Sequence, residues 1–288
     1  MQAESILSHH SSVYSIVTEQ ILKQLDSGTV PWRRPWQTAP PCNLMSQKDY
    51  RGINTFLLAA SGKPSRYWLT YAQAAKLGGH VKPGEHGSTV VFWNIGEEEL
   101  NPTTGKLSKP CLLRYYRVFN LSQTEGVANK LGLAEQSAKP VPDIDACESL
   151  VAAMPNAPQF KLSDRASYSP SADVVAMPPK SVFNSSEGYY ATLFHELTHS
   201  TGHSSRIGRE GIEEVNGFGT ELYSKEELIA EMGSAMLCGV TGIAPATIEN
   251  SAAYLRSWIK VLRGDSKLLV TAASQAQKAA DYIRGGAL

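Results

Sequence analysis

The sequence has no apolar stretch long enough to cross a bilayer and no basic leader followed by an apolar run. A membrane-spanning or secreted protein is therefore not expected, and a cytoplasmic one is. Its four cysteines, Cys42, Cys111, Cys147 and Cys238, are widely scattered and form no C-x-x-C pair. That spacing argues against a disulfide framework and fits free thiols in a reducing compartment. Net charge is absent too: 27 Lys and Arg balance 27 Asp and Glu, so composition alone points to neither nucleic acid nor membrane. No internal repeat at solenoid spacing and no long low-complexity tract is present.

The zero average conceals an asymmetry. Residues 1–126 hold thirteen Lys and Arg against nine Asp and Glu, whereas residues 127–288 hold fourteen against eighteen. Four of the five tryptophans, Trp32, Trp36, Trp68 and Trp93, fall in the basic half. Between the halves lies a stretch containing Lys139-Pro140-Val141-Pro142. A chain of 288 residues has room for two cores, so the expected division is a domain over 1–126, a linker over 127–150, part of it helical, and a second domain over 151–288.

The strongest chemical signal is His195-Glu196-Leu197-Thr198-His199. Positions four apart on a helix lie on one face, so both imidazoles can reach a single ion. Glu196 is then the base that takes a proton from water at the metal. The stripe of Tyr190, Leu193, Phe194 and Leu197 predicts a helix, with Ser185 or Ser186 as cap and Gly202 as stop.

Two histidines leave a catalytic zinc one protein ligand short. A third histidine three residues after Gly202 would complete an astacin-like pattern, but Ser205 stands there. The other source is a second helix over Ser224–Leu237, with Ser224 as cap, Glu226 and Glu227 in its first turn and Leu228, Met232, Ala235 and Met236 as its apolar face. Glu227 and Glu231 are one turn apart on it, and both can face the metal. Glu227, Ala230 and Glu231 resemble the glutamate-zincin pattern, which implies Glu227 as ligand and Glu231 as a carboxylate orienting a ligand histidine, the reverse assignment being the alternative. His203 is left as a weak ligand, a transition-state donor or a helix-end histidine. Ser171–Pro178 reads as a strand ended by Pro178 and Pro179 and paired with Ala166–Ser169 in a hairpin. As an edge strand beside the metal helix, it would let an extended peptide add by main-chain pairing.

In the first half, Val13–Leu25 is an amphipathic helix ended by Gly28, Thr70–Leu77 suggests a second helix, and Ser88–Ile95 and Leu112–Phe119 suggest antiparallel strands. Aromatics alternate with arginines at Trp32-Arg33-Arg34-Pro35-Trp36, Tyr50-Arg51, Arg66-Tyr67-Trp68 and Arg114-Tyr115-Tyr116-Arg117. That mixture suits a single-stranded nucleic acid, bases stacking on rings while cations follow phosphates. Neither a recognition helix nor a zinc module for reading duplex is visible. Trp32, Arg33, Arg34, Trp36, Arg51, Arg66, Trp68, Arg114 and Arg117 are the candidate contacts.

Several strings occur here in an order that resembles the N-terminal domain of ArdC-type antirestriction proteins, shared with plasmid primases of the TraC type. They include Tyr50-Arg51-Gly52-Ile53-Asn54, Trp68-Leu69-Thr70-Tyr71-Ala72-Gln73, Lys82-Pro83-Gly84-Glu85-His86-Gly87 and Val118-Phe119-Asn120-Leu121-Ser122-Gln123. The second half resembles the zincin-like metallopeptidase domain of the same proteins. The resemblance implies an α+β fold in two domains, an N-terminal mixed α/β single-stranded-DNA-binding domain and a C-terminal gluzincin-type domain. It also implies a plasmid-encoded bacterial protein that shields incoming conjugative DNA from host restriction. One divalent ion, zinc first and manganese second, is expected at His195, His199 and Glu227, with a host restriction-system protein as candidate peptidase substrate. The sequence holds no polymerase-like segment, which makes a primase the weaker expectation. Two alternatives stand beside the first: a DNA-binding shield whose metal domain is a non-catalytic interaction module, and a metalloprotease that cleaves DNA-bound proteins.

Overall fold

Helix α1 (Val13–Asp26) forms because Ser12 caps it, its hydroxyl accepting from the Ser15 N–H at 3.2 Å, and because Val17, Ile21 and Leu25 fall on one buried side. It ends before Gly28, whose φ of +83° suits glycine. The computed structural model describes residues 12–31, 40–95, 99–100, 107–108, 111–127, 144–209, 212, 221–243 and 252–286.

The N-terminal half is built on a four-stranded sheet of order β1-β2-β7-β4. Strand β1 (Cys42–Asn43) runs parallel to β2 (Tyr67–Leu69), which pairs antiparallel with β7 (Cys111–Asn120), and β7 pairs antiparallel with β4 (Ser88–Ile95). The β4–β7 ladder runs from Ser88 opposite Val118 to Ile95 opposite Cys111. Strand β4 matches its predicted span, and β7 is one residue longer at each end than predicted. Helix α2 (Ile53–Ala59), which the sequence reading did not anticipate, packs on β4, and α3 (Tyr71–Lys76) starts from a capping box made by Thr70 and Gln73. Among the described residues this half also has two short ladders: β3 (His80–Val81) with β8 (Thr124–Glu125), and β5 (Glu99–Leu100) with β6 (Leu107–Ser108). At the outer edge of β4, the Asn54 side chain pairs with both backbone groups of Val91, accepting from its N–H at 2.7 Å and donating to its C=O at 2.6 Å.

The C-terminal half begins with α4 (Ile144–Ala153), which lies partly within the expected linker and buries Cys147 and Leu150. Strands β9 (Gln159–Leu162), β10 (Ser167–Ser169) and β11 (Val174–Met177) form a sheet of order β10-β11-β9. The predicted hairpin is present, as β10 antiparallel to β11, but β11 is not an edge strand. It is central, because β9 pairs parallel along its other side. Peptide addition to β11 is thereby ruled out.

Among the described residues, four α-helices follow: α5 (Ser186–Ser200), α6 (Glu221–Thr241), α7 (Ala252–Gly264) and α8 (Leu268–Ile283). The alanine face of α8, with Ala272, Ala273, Ala276 and Ala280, allows it to lie close against α6. One core joins the halves, with Val17, Ile21 and Phe56 in the same buried cluster as Phe194, Leu197, Trp258, Leu262 and Leu269. Each such large side chain stabilises the fold by about 1.5–3 kcal/mol. Polar links add orientation. Thr18 donates to the Ser266 carbonyl at 2.9 Å, the Gly52 N–H donates to Gln277 Oε1 at 3.0 Å, and Arg51 pairs with Asp281.

Candidate metal centre

Helix α5 is capped by Ser185, whose hydroxyl accepts from the Gly188 N–H at 3.1 Å. It buries Tyr190, Leu193, Phe194 and Leu197, leaving His195 and His199 on its flank toward α6. The two helices approach closely at one point. A Cβ on Gly233 would lie 2.5 Å from Thr198 Cγ2, so only glycine admits this contact. One end of the contact is fixed by Ser234, which donates to the Ala191 carbonyl at 2.7 Å.

This packing carries Glu227 to the histidines. Its carboxylate oxygens lie 3.6 Å from His195 Nε2 and 3.6 Å from His199 Nε2, and the two Nε2 atoms are 3.1 Å apart. Among the described residues, His195, His199 and Glu227 are the group of His, Cys, Asp or Glu whose ligand atoms converge, all within 4.8 Å. Two imidazole nitrogens and one carboxylate oxygen fit a single small divalent cation. Burial pulls the His195 pKa down, but the Glu227 hydrogen bond and the charges of Glu196, Glu227 and Glu231 outweigh it and leave the pKa raised. Glu231 thus acts on His195 through its charge. His203 stands apart from the converging group, its Nδ1 accepting from the Ser205 N–H at 3.2 Å.

Four features escaped the sequence reading. Helix α6 begins at Glu221, so Ser224 lies inside it and is no cap, and Glu226 lies beyond the first turn. Glu226 meets His199 Nδ1 at 3.2 Å and is gripped by Arg209, from Nε at 3.0 Å and from a terminal nitrogen at 2.5 Å. Burial raises its pKa, and the bonds from His199 and Arg209 lower it further than burial raises it. Gly202 has ordinary negative-φ backbone; a Cβ there would lie 2.7 Å from Ile212 Cδ1 and 3.1 Å from Arg209, so its role is to make room rather than to turn the chain. Lastly, fully buried Arg206 holds Asp173, the Ser200 carbonyl and the Tyr168 hydroxyl, tying the exit of α5 to the β10–β11 hairpin. Only the two glutamates in succession signalled any of this, because Arg206 and Arg209 sit in a loop without periodicity.

Two family models match the chain. Residues 11–119 match the N-terminal domain of anti-restriction factor ArdC, and residues 145–275 match a zincin-like metallopeptidase. Among solved structures, the antirestriction ArdC protein from the R388 plasmid in its metal-free form gives a TM-score of 0.74 at 39% identity, over 95% of this chain and 97% of that one. The chain belongs to the ArdC family. The Mn(II)-bound form of the R388 protein matches equally, at TM-score 0.74 and 38% identity. Two sequence relatives widen the picture: DNA primase TraC of Escherichia coli, 35% identical over 93% of this chain, and the uncharacterized protein y4eC of Sinorhizobium fredii, 32% identical over 95% of this chain and 92% of that protein. The chain spans only 26% and 20% of the length of the two TraC primases it matches.

The ArdC-like N-terminal region sorts the expected DNA contacts. Trp32, Arg33, Arg34 and Trp36 lie outside the described residues. Trp68 is 1% exposed and packs with Leu58, Val90 and Val118, so its ring is core and no base can stack on it. Arg66 pairs with Asp49 at 2.7 Å, Arg51 pairs with Asp281, and Arg117 donates to the Gly87 carbonyl at 2.9 Å. Arg114 is exposed, as are its neighbours Tyr115 and Tyr116, and Tyr116 stacks on Phe92 with ring centroids 4.4 Å apart. These surface rings of the ArdC-type sheet were not among the predicted contacts, although Arg114-Tyr115-Tyr116-Arg117 carried the signal. No helix among the described residues is long and apolar enough to cross a membrane.

Proposed function

We propose that this chain is a cytoplasmic antirestriction protein that binds single-stranded DNA through its N-terminal half and hydrolyses peptides at His195, His199 and Glu227. The convergence of those three side chains in an ArdC-family chain carries the reading. A divalent ion held there, zinc by donor set and manganese by analogy with the R388 relative, supplies Lewis-acid polarisation and acidified water. Glu196, 9% exposed and next to His195, is the proton carrier. It accepts a proton as the water oxygen bonds to the peptide carbonyl carbon, then delivers that proton to the amide nitrogen as the C–N bond breaks. The DNA surface is the face of β7 that carries the exposed Arg114 and Tyr116, with Tyr116 on Phe92 as a stacking platform, while Tyr115 and Arg117 alternate to the opposite face. A protein of the host restriction system, met on incoming plasmid DNA, is the proposed substrate.

Glu196→Gln separates the two uses of the metal domain. It should retain the ion and abolish cleavage of a restriction subunit incubated with single-stranded DNA. If cleavage persists, Glu196 is not the base. If no cleavage occurs with either form and both protect DNA equally, the centre is an interaction module rather than an enzyme.

A further inference from the structure

Neutral imidazole carries one N–H and one lone pair, and only the lone pair can bind a metal. In His199 the choice between nitrogens is made by Glu226. A carboxylate can only accept, so its oxygen 3.2 Å from Nδ1 requires the hydrogen to be there, leaving the Nε2 lone pair facing His195 and Glu227. Glu226 is itself held by a guanidinium that does more than pair with it. Arg209 donates to both Glu226 oxygens, to the Thr201 hydroxyl at 2.6 Å and to the Thr198 and His199 carbonyls at 2.8 and 3.3 Å. One side chain therefore grips both the carboxylate on α6 and the last carbonyls of the helix that bears the histidine. Its side chain is 6% exposed, and a Cβ on residue 202 would crowd it, standing 3.1 Å from one of its terminal nitrogens.

We propose that Glu226, held by Arg209, is a positioning residue that fixes the tautomer and ring direction of His199 for metal binding, a role that rests on His199 being a ligand. The glutamate-zincin resemblance nominated Glu231 for such a role; at His199 it is Glu226 that stands within hydrogen-bond reach of Nδ1.

The test titrates Zn²⁺ or Mn²⁺ into the metal-stripped full-length protein against a competing chromogenic chelator. Glu226→Gln should weaken binding about 10- to 100-fold, because its amide can donate to Nδ1 and favour the wrong tautomer. Arg209→Lys, which keeps the charge but not the two-point grip, should weaken it by a smaller factor. Nitrogen-15 shifts of His199 in the metal-free wild type should report Nδ1–H, a readout that needs no variant to fold. An Nε2–H tautomer, or an E226Q affinity within twofold of wild type, overturns the positioning role. His199→Ala distinguishes the two levels. If it loses the ion while E226Q keeps it, the ligand assignment stands and the role of Glu226 falls; if it too binds as wild type does, the metal reading itself fails.

Discussion

The two halves of this chain handle charge in opposite ways. Around the metal centre, charges are drawn inward and held by partners: Arg206 by Asp173 and Arg209 by Glu226, with the Glu227 carboxylate set against His195 and His199. On the β4–β7 sheet, Arg114 and Arg117 remain outside beside exposed tyrosines, while the large ring of Trp68 goes into the core. The first arrangement depends on a few groups fixed to within fractions of an ångström, and the second on the sum of many weak contacts. Loss of one side chain should therefore be severe in the C-terminal half and graded in the N-terminal one.

The sharpest test of that contrast is Glu196→Gln. Peptide hydrolysis should fall by about 10²- to 10⁴-fold with metal content unchanged, measured by turnover and elemental analysis. A comparable loss from Tyr116→Ala would break the contrast. Next in size is Asp173→Asn. It keeps a residue tolerant of the +50° φ but leaves Arg206 buried without its counter-charge, at a cost of about 3–5 kcal/mol in denaturant unfolding. The pH dependence has a definite sign. Burial pushes the Asp173 pKa up, but bonds from Arg206 and Tyr168 leave it lowered in the folded state. Its contribution is thus fully present above the unfolded value of about 3.9 and is lost as pH falls through the lower folded value. The stability gap between wild type and the variant should close only in that acid range.

Gly233→Ala should cost about 1–3 kcal/mol by forcing α5 and α6 apart, and it should weaken metal binding as Glu227 withdraws. Removing the obstructing methyl and hydroxyl with Thr198→Ala in the same chain should restore part of both. At the small end, Tyr116→Ala should weaken single-stranded DNA binding by about 1 kcal/mol. Arg114→Ala should reduce the salt slope of that binding by about one unit. Fluorescence titrations at several ionic strengths read both.

What was legible in the sequence follows the same division. The pair His195 and His199 needs only one helix, and Val13–Leu25 and Ser88–Ile95 declare themselves by periodicity, so those elements emerge within a residue or so of their observed bounds. Glu226 was read as a charge near a helix start because its partner Arg209 arrives through a loop that carries no pattern. Strand β11 was read as an edge because β9, Gln-Phe-Lys-Leu, is exposed at every position and shows no alternation of burial. Trp68 looked available beside Arg66 because a sequence lists neighbours along the chain, not which face of a sheet is covered.

Asn54 has a consequence for how this molecule behaves in a crowd. Strand β4 ends its sheet among the described residues and carries Phe92, next to the exposed ring of Tyr116. An open edge flanked by apolar rings is a template onto which a second chain can zip, the usual beginning of aggregation. By occupying the N–H and C=O of Val91 with its own amide, Asn54 imitates the missing strand for one residue and closes that register of the edge. That break in the open ladder works against edge-to-edge pairing of two copies of the chain beside these surface rings.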